Sequence, residues 1–201
     1  MGRNYAAHAR ELGNDVPERP LIFLKPPSSC VADGAPIILP PDSQRVEHEG
    51  EIAVVIGRRA RHVAEADAFA CVLGFAPLND VTARDLQHSD GQWTRAKGFD
   101  TFCPIGKTRS DVSIAGRWRE LGVVCRVNGE ERQRGRAEQM VFGIPRLISY
   151  ISHIMTLEEG DVIATGTPEG VGPLRPGDVV EVGLLLGDER LGTVSNPVVD
   201  H

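Results

Sequence analysis

The spacing of proline and glycine restricts this chain to short secondary-structure elements. Its 201 residues include 22 glycines and 14 prolines, and both residue types interrupt helices and central strands. Proline pairs at 26–27 and 40–41 directly follow two mainly apolar segments, 21–25 and 35–39, which we predict to be strands. The C-terminal third alternates apolar runs with tight turns. This pattern predicts an α+β fold in which short strands predominate.

Hydrophobic periodicity locates the longer elements. The continuous apolar run at 51–57 predicts a buried strand, and alternation on both sides of an Asn-Gly turn predicts a hairpin over 123–135. Apolar spacings of three and four residues predict helices over 4–13, 63–75 and 140–155. The expected helices are therefore few and short.

Length and charge exclude several classes of protein. No repeat or linker divides the chain, so residues 1–201 are predicted to form a single domain. A formal net charge of −6 argues against nucleic-acid and anionic-membrane partners. No apolar run approaches the roughly 20 residues of a membrane span, and no signal peptide is recognisable, so a cytoplasmic location is expected.

The four cysteines are widely separated in sequence. Cys30, Cys71, Cys103 and Cys125 form no Cys-X-X-Cys pair of the kind that binds zinc or exchanges disulfides. In an intracellular protein this distribution predicts reduced and mostly buried thiols.

Three glutamates alternate just before the predicted buried strand. In a strand, Glu47, Glu49 and Glu51 would share one face, where two carboxylates about 4 Å apart repel by roughly 4 kcal/mol at an effective dielectric of 20. Glu49, Glu51 and Asp80 together offer the all-oxygen ligands that Mg²⁺ or Mn²⁺ prefers, and Glu47 is then a surface residue. Alternatively, the glutamates lie on a solvated strand face and Asp80 caps a helix that runs to Gln87.

Other polar residues form weaker candidates. His8 and Glu11 are three residues apart on one helix face, where they could hold a catalytic water or could lie on an exposed polar surface. Lys25 and Lys97 lie among apolar or aromatic residues that would favour an anionic partner, although most lysines are solvated. Thr167 lies in a glycine- and proline-rich loop that could bind a carboxylate or could simply join two strands.

Together these segments resemble the fumarylacetoacetate hydrolase family, in particular its small bacterial acylpyruvase, oxaloacetate decarboxylase and diene-dioate isomerase members. The resemblance covers nearly the whole chain, and its motifs occur in the family's order. The matching runs are GRNYAAHARELG, FLKPPSS, HEGEIAVVIG, NDVTARDLQ, QWTRAKGFDTFCP, VNGEERQ and TGTPEGVGPL.

The resemblance implies a fold and a set of functional residues. It implies a β-rich α+β fold with a rolled mixed sheet, a homodimer, and a Mg²⁺ or Mn²⁺ cofactor. The residues that match the family's metal ligands are Glu49, Glu51 and Asp80. Those that match its catalytic residues are His8, Glu11 and Lys97, and those that match its substrate pocket are Lys25, Arg84, Gln87 and Thr167.

The sequence departs from the family at its N-terminus. Family members usually carry a strand directly before the GRNY run, where Met1 stands here. Either this sequence starts late, or the element that would anchor the His8–Glu11 segment is absent.

The resemblance also implies a chemistry. A 2-oxo acid would chelate the cation, which would stabilise the enolate formed when a bond to C3 breaks. We expect hydrolysis of an acylpyruvate such as fumarylpyruvate, with Glu11, assisted by His8, activating water and Lys97 stabilising the oxyanion. Decarboxylation or isomerisation of related dioates, such as oxaloacetate or 2-hydroxyhepta-2,4-diene-1,7-dioate, is the alternative. A catalytically silent metal-binding domain is a third interpretation.

Overall fold

The computed structural model describes residues 1–110 and 112–201. The strands of these residues are β1 (Cys30–Val31), β2 (Ile37–Leu39), β3 (Val46–His48), β4 (Gly50–Ile56), β5 (Val72–Asn79), β6 (Thr82–Ala83), β7 (Cys103–Pro104), β8 (Leu121–Val127), β9 (Glu130–Arg136), β10 (Val162–Ala164), β11 (Gly172–Pro173), β12 (Val179–Leu186) and β13 (Glu189–Asp200). The α-helices are α1 (Ala6–Glu11), α2 (Arg84–Asp90), α3 (Thr94–Gly98), α4 (Val112–Gly116) and α5 (Ile144–Ile154).

Both parallel and antiparallel strand pairs occur. One sheet has the order β2-β13-β12-β8-β9, and smaller sheets have the orders β10-β4-β5, β11-β3-β6 and β1-β7. β13 pairs with β2 and β1 pairs with β7 in parallel, whereas the remaining named pairs are antiparallel. The predicted strand-rich α+β fold with mixed sheets is confirmed.

The core lies between the β10-β4-β5 sheet and the largest of the described sheets. β4 and β5 pack against β8, β12 and β13, and every residue of β4 is buried. A strand that is covered on both faces needs a continuous apolar run rather than alternation, which is why residues 51–57 predicted it correctly.

The β8–β9 hairpin follows the sequence prediction. Asn128 and Gly129 connect the strands with φ angles of 54° and 81°, and Val127 pairs with Glu130 across the turn. These left-handed conformations match the right-handed strand twist and are the ones that Asn-Gly accommodates.

Two helix predictions have different outcomes. The predicted helix over 140–155 is confirmed as α5, which begins at Ile144 with Pro145 in its first turn, where a missing N–H costs little. The helix predicted over 63–75 is wrong: Glu65–Cys71 forms a 3₁₀ helix, and β5 then begins. Pairing of β5 with β4 outweighs the local helical spacing there.

The N-terminal predictions are confirmed in part. The helix expected over 4–13 occurs as α1, and the strand expected over 35–39 occurs as β2. The strand predicted at 21–25 is wrong, because this segment forms only one β-bridge, between Leu21 and Gly2. The segment instead carries Lys25 into the buried acidic cluster described below. Within the described residues, the helices all fall short of the length and apolar character needed to cross a bilayer.

Candidate active site

Strand pairing brings three acidic side chains together. Gly50 at the start of β4 pairs with Asn79 at the end of β5, so Glu49 and Glu51, on either side of Gly50, meet Asp80. One carboxylate oxygen of each acid lies within 4.8 Å of the others, and the three residues are 4%, 0% and 0% exposed. The alternative of a solvated strand face is therefore wrong.

Gly50 permits this arrangement by its lack of a side chain. A Cβ at this position would lie 2.9 Å from the Cβ of Cys125 on β8. Any larger residue would push the acidic strand away from the sheet that supports it.

Two lysines neutralise part of the acidic cluster. Lys97 Nζ, from α3, lies 2.7 Å from Glu49 Oε2 and 2.8 Å from Asp80 Oδ2, while Lys25 Nζ lies 2.7 Å from Asp80 Oδ1. Lys25 also donates to the backbone oxygen of Lys97. Lys97 is buried, the Lys25 side chain is 9% exposed, and both are paired with carboxylates, so the interpretation of two solvated lysines is wrong.

The charges around this cluster control its ionisation. Burial opposes the charged forms, but Lys97 and Arg84 hold the pKa of Glu49 well below its usual range. Lys25 and Lys97 act in the same way to lower the pKa of Asp80, and the two carboxylates raise the pKa of Lys97. Asp80 is therefore a buried ion-pair partner, and its predicted role as a helix cap is wrong, because α2 begins at Arg84 without a side-chain cap.

Glu51 differs from the other two acids. Burial, followed by the charges of Asp80 and Glu49, raises its pKa to about 8. Its Oε2 atom accepts a hydrogen bond of 2.7 Å from Gly166 N, whereas Oε1 has no hydrogen-bond partner among the described residues. A buried oxygen without a partner beside two further carboxylates is a donor set that fits a hard divalent cation.

Glu47 was predicted to lie on the surface, and this prediction is wrong. It is 0% exposed, and its carboxylate lies between Arg45 Nε at 2.6 Å and Arg84 Nε at 2.7 Å. Arg84 also reaches Glu49 Oε1 at 2.6 Å and Gln87 Oε1 at 2.6 Å. Glu47 therefore fixes a guanidinium beside the acidic cluster.

A cavity of about 300 Å³ lies next to the acidic cluster. Six of the predicted site residues line it: His8, Glu49, Arg84, Gln87, Lys97 and Thr167. Lys25 lines a second cavity instead, and Glu11, Glu51 and Asp80 are not part of the first cavity's wall.

The His8–Glu11 pair is formed on α1. His8 Nδ1 lies 3.2 Å from Glu11 Oε2, and Glu11 Oε1 accepts a hydrogen bond of 2.9 Å from Gly170 N. His8 is buried and faces the cavity, so the alternative of an exposed polar helix face does not hold for it.

Asn4 anchors the segment that carries this pair. Its Nδ2 atom donates to the backbone oxygens of Thr165 at 2.7 Å and Phe142 at 3.0 Å, and its Oδ1 atom accepts from Phe142 N at 2.8 Å. α1 is thereby tied to the same loop that contains Thr167.

Sequence reasoning assigned no role to Gln133, which joins the loop that contains Thr167 to β4. Its Nε2 donates to Thr167 Oγ1 at 2.7 Å and to Pro168 O at 2.8 Å, while its Oε1 accepts from Gly50 N at 2.9 Å. His48 Nδ1 lies 3.0 Å from the same oxygen. The only sequence signal was the VNGEERQ run, in which a polar residue falls on the buried face of β9.

Comparison with known proteins identifies related chains. The family model described as "Fumarylacetoacetate (FAA) hydrolase C-terminal" matches residues 1–199. A mitochondrial oxaloacetate tautomerase from Arabidopsis thaliana is 49% identical over 188 residues, which are 92% of this chain and 84% of the relative.

Two solved structures share the fold over almost the whole chain. The 5-carboxymethyl-2-hydroxymuconate delta-isomerase from Mycobacterium smegmatis has a TM-score of 0.88 and 48% identity, covering 100% of this chain and 77% of that one. The fumarylpyruvate hydrolase from Pseudomonas aeruginosa, in complex with Mn²⁺ and pyruvate, has a TM-score of 0.89 and 34% identity, covering 99% and 87%.

Proposed function

Because this chain belongs to the fumarylacetoacetate hydrolase family, whose named relatives are enzymes, we propose that it cleaves a C–C bond in an acylpyruvate such as fumarylpyruvate with the help of a divalent cation. The observation that carries this proposal is the buried set of three carboxylates beside a cavity that His8 and Lys97 also line.

Glu49, Glu51 and Asp80 would hold the cation, which is Mg²⁺ or Mn²⁺. The unpartnered Oε1 atom of Glu51 and the all-oxygen donor set support this assignment. When bound, the cation supplies Lewis-acid polarisation of the substrate's oxygens. The structure of the Pseudomonas relative with Mn²⁺ and pyruvate supports both the metal and the 2-oxo acid class.

Cationic and polar groups at the cavity wall would bind the substrate's carboxylate. Arg84 keeps its guanidinium charged between Glu47 and Glu49 and holds Gln87 beside the cavity. Thr167 also lines the cavity, and its hydroxyl is fixed by Gln133 and by Gly50 O. This local arrangement offsets the acidic character of the chain as a whole.

His8 and Glu11 would activate water. His8 lines the cavity, whereas Glu11 does not, and the Glu11 carboxylate is held by Gly170 N and contacts His8 Nδ1. His8 would therefore accept the proton of the attacking water, and Glu11 would orient the imidazole. Lys97 would stabilise the negative charge that develops on the attacked carbonyl oxygen, after which the C–C bond breaks and pyruvate leaves as its enolate.

Keto–enol chemistry on oxaloacetate or a related dioate is the second candidate. The 49% identity to an oxaloacetate tautomerase and the 48% identity to a muconate isomerase favour it. Both chemistries need the same enolate, but isomerisation and decarboxylation need no attacking water. A silent metal-binding domain remains the candidate from a different class.

A substrate panel with products identified by mass separates these functions. The purified protein is incubated with Mg²⁺, Mn²⁺ or a chelator and with acetylpyruvate, fumarylpyruvate or oxaloacetate. Hydrolysis adds water across the cleaved bond, decarboxylation removes CO₂, and tautomerisation leaves the mass unchanged but alters the enol absorbance. We expect metal-dependent pyruvate release from an acylpyruvate, whereas Mn²⁺ binding without turnover of any substrate would indicate the silent domain.

The single domain, the homodimer and the cytoplasmic location stay predictions. Light scattering on the purified protein checks the dimer, because two chains of 21.8 kDa give twice the monomer mass.

A further inference from the structure

Two of the four cysteines meet across a parallel strand pair outside the acidic cluster. Cys30 begins β1 and Cys103 begins β7, and these two residues are register partners. Paired residues on neighbouring strands place their side chains on the same face of a sheet, with strands about 4.8 Å apart. This spacing lies within the Cα–Cα range of roughly 4.4–6.8 Å that a disulfide requires.

The two thiols share a cavity, and one of them is exposed. Both line the second cavity, whose volume is about 340 Å³. Cys30 is exposed, whereas Cys103 is buried. An accessible thiol beside a protected one is the arrangement in which the first reacts and the second resolves the product.

The surroundings make Cys30 the more reactive thiol. The neighbouring Cys103 thiol and the positive charge of Lys25 lower the pKa of Cys30 to about 6, although burial opposes this. The neighbouring Cys30 thiol and burial raise the pKa of Cys103. The thiolate is therefore favoured on Cys30.

We propose that Cys30 and Cys103 form a redox-active dithiol that a peroxide converts reversibly into a disulfide. The Cys30 thiolate attacks one oxygen of the peroxide, the O–O bond breaks, and Cys30 becomes a sulfenic acid as the peroxide is reduced to water. The Cys103 sulfur then attacks the Cys30 sulfur, the S–O bond breaks, and a second water leaves with the Cys103 proton. Two thiols and one peroxide thus yield one disulfide and two waters.

The remaining cysteines have a different environment. Cys71 and Cys125 are buried, and burial raises the pKa of Cys125 to about 12. These residues lie outside both cavity walls. Cys71 and Cys125 therefore serve as internal controls for non-specific oxidation. The proposed dithiol does not depend on the proposed enzymatic function.

The test is peptide mapping of the complete protein after treatment with hydrogen peroxide. We expect the intact mass to fall by about 2 Da, the mass of two hydrogen atoms, and the digest to contain a Cys30–Cys103 cross-linked peptide that dithiothreitol removes. Retention of both free thiols, or a cross-link that involves Cys71 or Cys125, would overturn the proposal.

Variants separate the roles of the two thiols. Cys103→Ser should lose the disulfide and accumulate a sulfenic acid on Cys30 that dimedone traps, whereas Cys125→Ser should retain the loss of about 2 Da. If Cys103→Ser does not fold, Cys30→Ser at the exposed position provides the second test, and it should leave Cys103 unoxidised. If Cys30→Ser still loses about 2 Da at the wild-type rate, the disulfide forms between other cysteines and the proposal is wrong.

Discussion

The two sides of the proposed catalytic cavity are built in different ways. The acidic side lies on paired strands, is almost fully buried and is crossed by ion pairs between Glu49, Asp80, Lys97 and Lys25. The opposite side, with His8 and Glu11, lies on a six-residue helix held by a few hydrogen bonds from Asn4 and Gly170.

This difference indicates which properties each side controls. Buried charges on strands cannot reorganise without a large energetic cost, so the acidic side should determine metal binding and stability. A short helix with few anchors contributes little to global stability and can move at lower cost. The helical side should therefore affect the reaction more than the fold.

The largest expected effect comes from removing a proposed metal ligand. Glu51→Gln keeps the side-chain shape but replaces a ligand oxygen, so we expect activity to fall by about 10³-fold or more, equivalent to at least about 4 kcal/mol of transition-state stabilisation. Mn²⁺ titration and steady-state kinetics measure the effect. Glu47→Gln is the matched control, because Glu47 is equally buried but pairs with arginines, and it should retain Mn²⁺ binding. Equal loss of Mn²⁺ binding in both variants would contradict the assignment.

Removal of Lys97 tests the electrostatics of the acidic side. Lys97→Met removes the cation that Glu49 and Asp80 share and leaves each of them one remaining partner, Arg84 and Lys25 respectively. We expect the free energy of unfolding to fall by about 3 kcal/mol without a cation. With saturating Mn²⁺ the deficit should shrink, because the cation then supplies positive charge. Chemical denaturation checks both conditions, with the exposed Lys107→Met as a control that changes stability by less than about 0.5 kcal/mol. An identical deficit with and without Mn²⁺ would argue against a cation between these carboxylates.

Substitution on the helical side should separate chemistry from stability. Glu11→Gln should slow acylpyruvate hydrolysis by about 10²-fold or more, because His8 loses the carboxylate that orients it. Any oxaloacetate decarboxylation should be spared, since that reaction needs no attacking water. Parallel assays of both substrates, with thermal unfolding of the same samples, provide the comparison. Equal loss of both reactions would assign Glu11 to binding or folding.

Gln133 links the two sides and should give a smaller effect. Gln133→Leu removes the hydrogen bonds between its amide and Gly50, Thr167 and Pro168, while the direct bond from Thr167 Oγ1 to Gly50 O remains. We expect KM to rise about tenfold and stability to fall by roughly 1–3 kcal/mol. The exposed Gln44→Leu is the control. An unchanged KM with lowered stability would restrict Gln133 to a structural role.

The pH dependence of metal binding tests the acidic side without any substitution. In the metal-free protein the pKa of Glu51 is raised to about 8, above the ordinary value of 4.5. Below pH 8 the cation must displace a proton, so Mn²⁺ affinity should rise by up to about tenfold per pH unit between pH 6 and 8 and then level off. By the same linkage, the stability contributed by neutral Glu51 is present at low pH and is lost as pH rises through about 8. Calorimetric titration at several pH values measures the affinity, and a flat profile would contradict the raised pKa.

The sequence predicted those parts of the structure that depend on local pattern or on complete motifs. The β4 strand, the Asn128-Gly129 hairpin and α5 followed from periodicity and turn chemistry. The grouping of Glu49, Glu51 and Asp80 was one of two interpretations of the residues, and the resemblance favoured it. The incorrect predictions concern segments whose secondary structure depends on contacts with residues distant in sequence. Residues 72–75 have helical spacing but pair with β4.

Polar residues were the hardest to place from sequence. Glu47 has the pattern of a surface residue, yet it is buried, where it pairs with the buried Arg84 and with Arg45, which reaches it from the surface. Gln133 lies on a strand whose neighbours are mostly charged and exposed, and only the three-dimensional pairing of β9 with β8 turns it towards Gly50. A polar group is buried only where it has partners, and these partners are often remote in sequence. A local sequence pattern does not show them.

The most direct test is a crystal soaked in Mn²⁺ and measured for anomalous scattering. We expect one strong anomalous peak coordinated by Glu49, Glu51 and Asp80, at oxygen distances of roughly 2.0–2.3 Å. No peak between these side chains, or a peak only at other acidic residues, would show that these three carboxylates do not bind the catalytic cation.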